Sequence, residues 1–129
     1  MTVVVGYIPD PYGEAALAAG IEEAGRRGTD LVVVNATKGD ALVDRRYVGE
    51  AGLADLEERL AGSGVAHEVR QAMGTDVAQE MLRFVDETAA EVLVIGLRHR
   101  TPVGKMIMGS VAQQVLIDAK CWVLAVKPA

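Results

Sequence analysis

The sequence predicts a single doubly wound α/β domain over residues 1–129, with a five-stranded parallel sheet and helices on both faces. Three observations carry that prediction. Short apolar runs alternate with amphipathic stretches along the whole chain. Aromatic residues make up only 4% of the chain, so Val, Leu, Ile and Ala supply the packing, a mix suited to parallel strands buried on both faces. At 129 residues and 50% hydrophobic, the chain suits one domain with a single sizeable core.

Each element follows from its own residues. Val3–Ile8 reads as the first strand, and Pro9-Asp10-Pro11 then breaks the chain. From Glu14 to Arg27 the pattern is helical: Leu17, Ile21 and Ala24 share one face, while Glu22, Glu23, Arg26 and Arg27 face water. Gly28 closes that helix. Leu31–Val34 is the second strand. The polar stretch from Thr37 to Val48, with Lys38, Asp40, Asp44, Arg45 and Arg46, reads as a long mobile loop. Glu50 to Ala61 is helical, with Leu53, Leu56 and Leu60 on one face, and Gly62-Ser-Gly64 ends it.

Val65–Gln71 alternates apolar with polar residues and reads as an edge strand, with His67 as a structural residue within it. Met73-Gly74-Thr75 is a turn. Asp76 caps the next helix, with Gln79 three residues on, and Val77, Met81, Phe84 and Val85 form its inner face. Val92–Ile95 is the fourth strand and the most apolar, expected near the sheet centre. Thr101-Pro102 starts a short helix, with proline at the first helical position. A helix runs from Ser110 to about Ala119. Trp122–Val126 is the fifth strand, and Pro128 stops it.

Charge and composition exclude several classes. The net charge is −5, which argues against nucleic-acid binding through the whole surface. The one cysteine, Cys121, can form no intramolecular disulfide, and it opens an apolar run as a small buried hydrophobe would. With His67 and His99 the only histidines and no acidic cluster, no metal-binding spacing is present. No apolar run reaches membrane-spanning length, and Met1-Thr-Val-Val-Val-Gly lacks a basic leader. A cytoplasmic protein without membrane or nucleic-acid partners is expected.

The stretch from Gly96 to Ser110 carries the chemistry. A buried strand leads into a glycine- and cation-rich loop and then into a helix start at Gly109-Ser110. Glycines let the backbone approach an anion. Free N–H groups at a helix start point at it, and the helix dipole favours negative charge there. Arg98, His99, Arg100 and Lys105 add side-chain charge around the same loop, with Gly104 among them. A local basic loop on an acidic protein points to a small anionic ligand; a merely solvated loop is the plainer alternative. In sheets of this kind ligands lie beyond the carboxyl ends of the strands, where the strand order reverses. The Pro9–Gly13 loop, the end of strand two and the Gly96 loop are expected to meet there.

With these residues the chain resembles the universal stress protein family over nearly its whole length. The resemblance rests on the Val-Val-Val-Gly start, Glu14-Ala-Ala-Leu17, Val-Leu-Val-Ile-Gly96, Gly109-Ser-Val-Ala-Gln-Gln-Val115 and Cys-Trp-Val-Leu-Ala-Val126. It implies a sheet in the order 3-2-1-4-5. ATP-binding members resemble Gly-x2-Gly-x9-Gly-Ser/Thr. Gly96, Gly109 and Ser110 match the first, third and last positions, and His99 stands at the second glycine position, with Gly104 at another offset. A non-glycine residue held at positive φ costs about 1 kcal/mol, which histidine tolerates better than most residues. The family's aspartate after strand one corresponds to Ile8, with Asp10 displaced by two residues, and Ala36 corresponds to the small apolar position of the adenine pocket.

The resemblance thus implies a regulatory protein of the stress response, not an enzyme, binding ATP at Asp10, Ala36, Gly96, Arg98, His99, Arg100, Gly104, Lys105, Gly109 and Ser110. The alternative is a member that binds no ATP and acts as a dimeric interaction scaffold. A slow ATPase or nucleotide-activating transferase is a third reading, set against by Gly104-Lys105 running into Met106 in place of Ser or Thr. Trp122–Val126 would form an apolar sheet edge. The resemblance implies a homodimer in which this strand pairs antiparallel with its copy across a two-fold axis.

Overall fold

A computed structural model describes residues 2–38, 46–73, 76–97 and 109–128. The chain runs β1 (Thr2–Gly6), α1 (Pro11–Arg27), β2 (Asp30–Thr37), α2 (Glu50–Gly62), β3 (His67–Met73), α3 (Val77–Thr88), β4 (Val92–Gly96), α4 (Ser110–Asp118) and β5 (Trp122–Val126). The five strands form one sheet in the order β3-β2-β1-β4-β5, with every neighbouring pair parallel. The predicted architecture and order are those observed.

The strands divide their side chains with period two. Val3, Val5, Leu31, Val33, Val92 and Val94 face a core closed by Ala16, Leu17 and Ala24 of α1 and by Leu56 and Leu60 of α2. Val4, Val32, Val34, Ala36, Leu93 and Ile95 face the opposite core, closed by Ala78, Met81, Phe84 and Val85 of α3 and by Val115 of α4. Fully burying one such aliphatic side chain is worth about 1.5–3 kcal/mol, so two filled faces hold the sheet between four helices. This is why β1, β2 and β4 read as unbroken apolar runs.

Several boundaries differ from the sequence reading, each for a local reason. Helix α1 begins at Pro11, not Glu14. The Asp10 carboxylate accepts the N–H of Gly13 at 2.8 Å and caps the helix, and Pro11 takes the first helical position. The Pro9-Asp10-Pro11 breaker is therefore a helix start. Strand β1 ends at Gly6, although Tyr7 still donates its N–H to the Val34 carbonyl at 2.9 Å. Strand β2 continues through Asn35, Ala36 and Thr37, which pair with Gln71, Ala72 and Met73 of β3.

Of the stretch read as a loop from Thr37 to Val48, Thr37 is thus strand. Val48 is buried, and residues 39–45 lie outside the described residues. Of the turn read at Met73-Gly74-Thr75, Met73 is the last residue of β3, and Gly74-Thr75, like the short helix at Thr101-Pro102, lies outside the described residues. The centre of the sheet is β1, with β4 beside it. Edge strand β3 begins at His67, not Val65, runs on to Met73, and alternates over His67–Gln71. His67 in it is structural, its ring nitrogens meeting the Val65 carbonyl at 2.9 Å and Glu57 at 3.2 Å. Cys121 is half-buried against the α3–α4 core, and burial pushes its thiol pKa up. Among the described residues, no helix is long and apolar enough to cross a membrane.

Candidate functional site

A cleft of about 630 Å³ lies across the carboxyl ends of β2, β1 and β4, within the size range of small-molecule sites, about 300–1,000 Å³. The chain leaves β1 toward β2 on one side and returns to β4 on the other, so the cleft sits at the reversal of strand order. Its floor is Gly6, Tyr7 and Ile8 from β1 and the residues after it, and Ile95, Gly96 and Leu97 from β4. One end is Val34, Ala36, Thr37 and Lys38, with Arg46 opposite. The other end is Gly109, Ser110, Val111 and Ala112 at the start of α4. Val77 and Met81 of α3 and Asp10, Tyr12 and Gly13 of α1 complete the walls. Of the three segments expected to converge, Asp10–Gly13 and the end of β2 meet here with Gly96, Leu97, Gly109 and Ser110, the described ends of the Gly96 loop.

Asp10, Ala36, Gly96, Gly109 and Ser110, all named from sequence, line this one cleft. Arg98, His99, Arg100, Gly104 and Lys105 lie outside the described residues. Gly109 is the N-cap of α4, in extended conformation and with no side-chain cap. The first backbone bond of the helix runs from the Gln113 N–H to the Gly109 carbonyl at 3.0 Å. The N–H groups of Ser110, Val111 and Ala112 are therefore not used inside the helix, and they sit at the cleft with the positive end of the helix dipole. A β-carbon on Gly109 would meet no described atom within 4 Å.

Gly96 is a glycine for a different reason. A β-carbon there would come within 2.5 Å of the Tyr12 carbonyl oxygen. The residue lets the first turn of α1 press against the end of β4. Asp10 lines the cleft, but one carboxylate oxygen is spent on the Gly13 N–H.

The β2 end is held by a buried amide that sequence reading did not single out. Asn35, fully buried, donates to the carbonyls of Tyr7 at 2.9 Å and Arg46 at 2.8 Å, and accepts from the Val48 N–H at 2.9 Å. Gln71 donates to the same Asn35 oxygen at 3.2 Å and to the Val48 carbonyl at 2.8 Å. This network ties the segment before α2 to the strand ends, which places Arg46 on the cleft wall. The signal in the sequence is a lone Asn in an apolar run: a buried amide needs all its partners.

Tyr7 is the second residue missed. Its hydroxyl donates to Glu14 at 2.6 Å, and Arg59 of α2 donates to both Glu14 oxygens at 2.8 and 3.2 Å. Burial, and then the neighbouring Glu14 carboxylate, push the Tyr7 pKa up to about 12. The Arg59 hydrogen bond holds Glu14 below the usual carboxylate value. Tyr7 thus stays a neutral donor and fastens the cleft floor to α1 and α2.

Comparison with known proteins fits this geometry. The family model described as the universal stress protein family matches residues 1–127. A universal stress protein from Mycolicibacterium smegmatis is 53% identical over 126 residues, covering 98% of this chain and 97% of that protein. Among solved structures, a universal stress protein from Archaeoglobus fulgidus aligns with a TM-score of 0.72 at 29% identity, covering 98% of each chain. A further structure of the universal stress protein from Archaeoglobus fulgidus, in complex with dAMP, aligns at 0.66 and 26% identity over 98% of each chain.

Proposed function

The chain belongs to the universal stress protein family, and from that premise we propose that it is a regulatory protein that binds a nucleotide, ATP, in the cleft at the strand ends. One observation carries this reading: the free N-terminus of α4 at one end of a 630 Å³ cleft whose other end is walled by Val34 and Ala36. Phosphates suit the first end and a flat, largely apolar base suits the second. The nucleotide's phosphates lie on the Ser110–Ala112 N–H groups and beside Gly96, with the Ser110 hydroxyl donating. Arg98, His99, Arg100, Gly104 and Lys105, outside the described residues, belong to this proposal on their sequence alone. Ala36 borders the base, and Asp10, committed to its helix, offers its second oxygen. The dAMP complex of the Archaeoglobus relative supports a nucleotide as the ligand. Binding, with no turnover, is the proposed activity.

Denaturing the purified protein and analysing the released small molecules by mass spectrometry tests the reading, together with calorimetry of the stripped protein. Co-purified nucleotide or saturable ATP binding is expected. Failure of the stripped protein to bind any nucleotide would leave the interaction-scaffold reading in its place.

The homodimer that the scaffold reading needs, and that the nucleotide reading also allows, is favoured by the β5 edge. Trp122 is 80% exposed and Ile117, in the last turns of α4, is 81% exposed. Apolar groups of this size on an unpaired edge invite a second chain. The proposed assembly is a homodimer with β5 pairing antiparallel across a two-fold axis. Light scattering at micromolar concentration should give the mass of two chains, and Val123→Pro or Ala125→Pro should give monomer or aggregate. A wild-type mass of one chain would refute the dimer.

A further inference from the structure

Among the described residues, the Thr37 hydroxyl is the buried side-chain polar atom left without a hydrogen-bond partner. Thr37 ends β2, is 2% exposed and belongs to the cleft wall. Its polar neighbours are committed elsewhere. The Asn35 amide is shared among Tyr7, Arg46, Val48 and Gln71, and Gln71 binds Val48 as well. A buried hydroxyl with no partner carries the full desolvation penalty of an unmade hydrogen bond. Groups of this kind persist where something outside the fold completes them.

Position says what that something is. The phosphate-binding end of the cleft is the α4 N-terminus, on the β4 side of β1. A nucleotide laid from there across the strand ends brings its far end to β2, beside Thr37. We infer that the Thr37 hydroxyl reads the nucleobase, hydrogen-bonding the polar edge of the ring that enters between β2 and the Arg46 segment. The inference rests on the nucleotide reading of the cleft and adds a side chain that selects for the base. An alkyl or other apolar occupant would leave the hydroxyl as unpaired as before. A hydroxyl both donates and accepts, so it serves an exocyclic amino group or a ring nitrogen alike. Turning about χ1 to meet the ring breaks no hydrogen bond, because none is made.

The test uses the full chain with Thr37→Val, which keeps the shape, and Thr37→Ser, which keeps the hydroxyl. ATP and inorganic tripolyphosphate are titrated by calorimetry, and each protein is melted without ligand. Thr37→Val should melt higher than wild type and bind ATP about tenfold more weakly, the loss of one hydrogen bond. Its tripolyphosphate affinity should be unchanged, and Thr37→Ser should retain wild-type ATP affinity. Equal ATP affinity in wild type and Thr37→Val would overturn the role of the hydroxyl while leaving the cleft a nucleotide site. Thr37→Val melting well below wild type would overturn it too, because the hydroxyl would then be holding the fold. A wild type that binds neither ATP nor tripolyphosphate would overturn the site and this inference together.

Discussion

The side-chain oxygen of Asn35 accepts the backbone N–H of Val48 at 2.9 Å. Asn35 also donates to the carbonyls of Tyr7 and Arg46. One fully buried amide therefore joins the end of β1, the end of β2 and the segment leading into α2.

Removing that amide takes the hydrogen bonds from the buried Tyr7 carbonyl and Val48 N–H and one from the part-buried Arg46 carbonyl. Asn35→Ala should destabilise the protein by about 2–4 kcal/mol, read as a fall in the urea midpoint. Asn35→Asp should cost at least as much, since a carboxylate would face the Tyr7 and Arg46 carbonyls with no proton to give. A midpoint unchanged by either substitution would remove Asn35 from the account of how the cleft is held.

Gly96 and Gly109 should respond differently to added bulk. At Gly96 a methyl group meets the Tyr12 backbone, which cannot rotate away. Gly96→Ala should cost about 1–3 kcal/mol and should weaken any ligand of the cleft by shifting α1. Thermal melts that match wild type would show that α1 can retreat without loss.

Ala89 closes α3 in the left-handed region, at φ 51°. It is the one non-glycine residue with positive φ among the described residues. Ala89→Gly should stabilise the fold by about 0.5–1 kcal/mol, measured by chemical denaturation. A loss of stability would mean that the added chain entropy outweighs the relieved strain.

The Tyr7–Glu14–Arg59 cluster gives stability a pH signature. Arg59 lowers the Glu14 pKa in the folded state, so that contribution is present above the unfolded carboxylate value and is lost as pH falls through the folded one. Burial and Glu14 raise Tyr7 from 10.0 to about 12, so its contribution holds below 10 and is lost as pH climbs toward 12. Melting temperature should therefore fall over that alkaline window, and Tyr7→Phe should flatten the fall. Glu14→Gln should blunt the acid loss. An alkaline slope identical in wild type and Tyr7→Phe would show that Tyr7 does not carry it.

The fold was legible where residue type alone fixes structure. Trp122–Val126 could be bounded to the residue because an apolar run ends at a charged residue and a proline. The interior of β2 was equally plain, but its last turn of strand was not. Asn35 and Thr37 look like loop residues until the partners of Asn35 are seen, and those partners come from the end of β1, the segment before α2 and β3. Asp10 and Pro11 were read as a break because cap and breaker share the same residue types; only the Gly13 N–H distinguishes them. Of the candidate site, the glycine-led helix start at Gly109-Ser110 could be read locally. Tyr7, Thr37, Lys38, Arg46 and Met81 could not, since they enter the cleft through sheet order and helix packing.

The central claim is that the N-terminus of α4 holds the phosphates of a nucleotide. Its most direct test is calorimetric titration of ATP into the stripped wild type and into Gly109→Val, each at low and high salt. A β-carbon at Gly109 meets nothing in the described fold, so the variant should melt within about 0.5 kcal/mol of wild type. Wild type should bind ATP, more weakly as salt rises, and folded Gly109→Val should not bind it. ATP affinity unchanged by the substitution would contradict the claim.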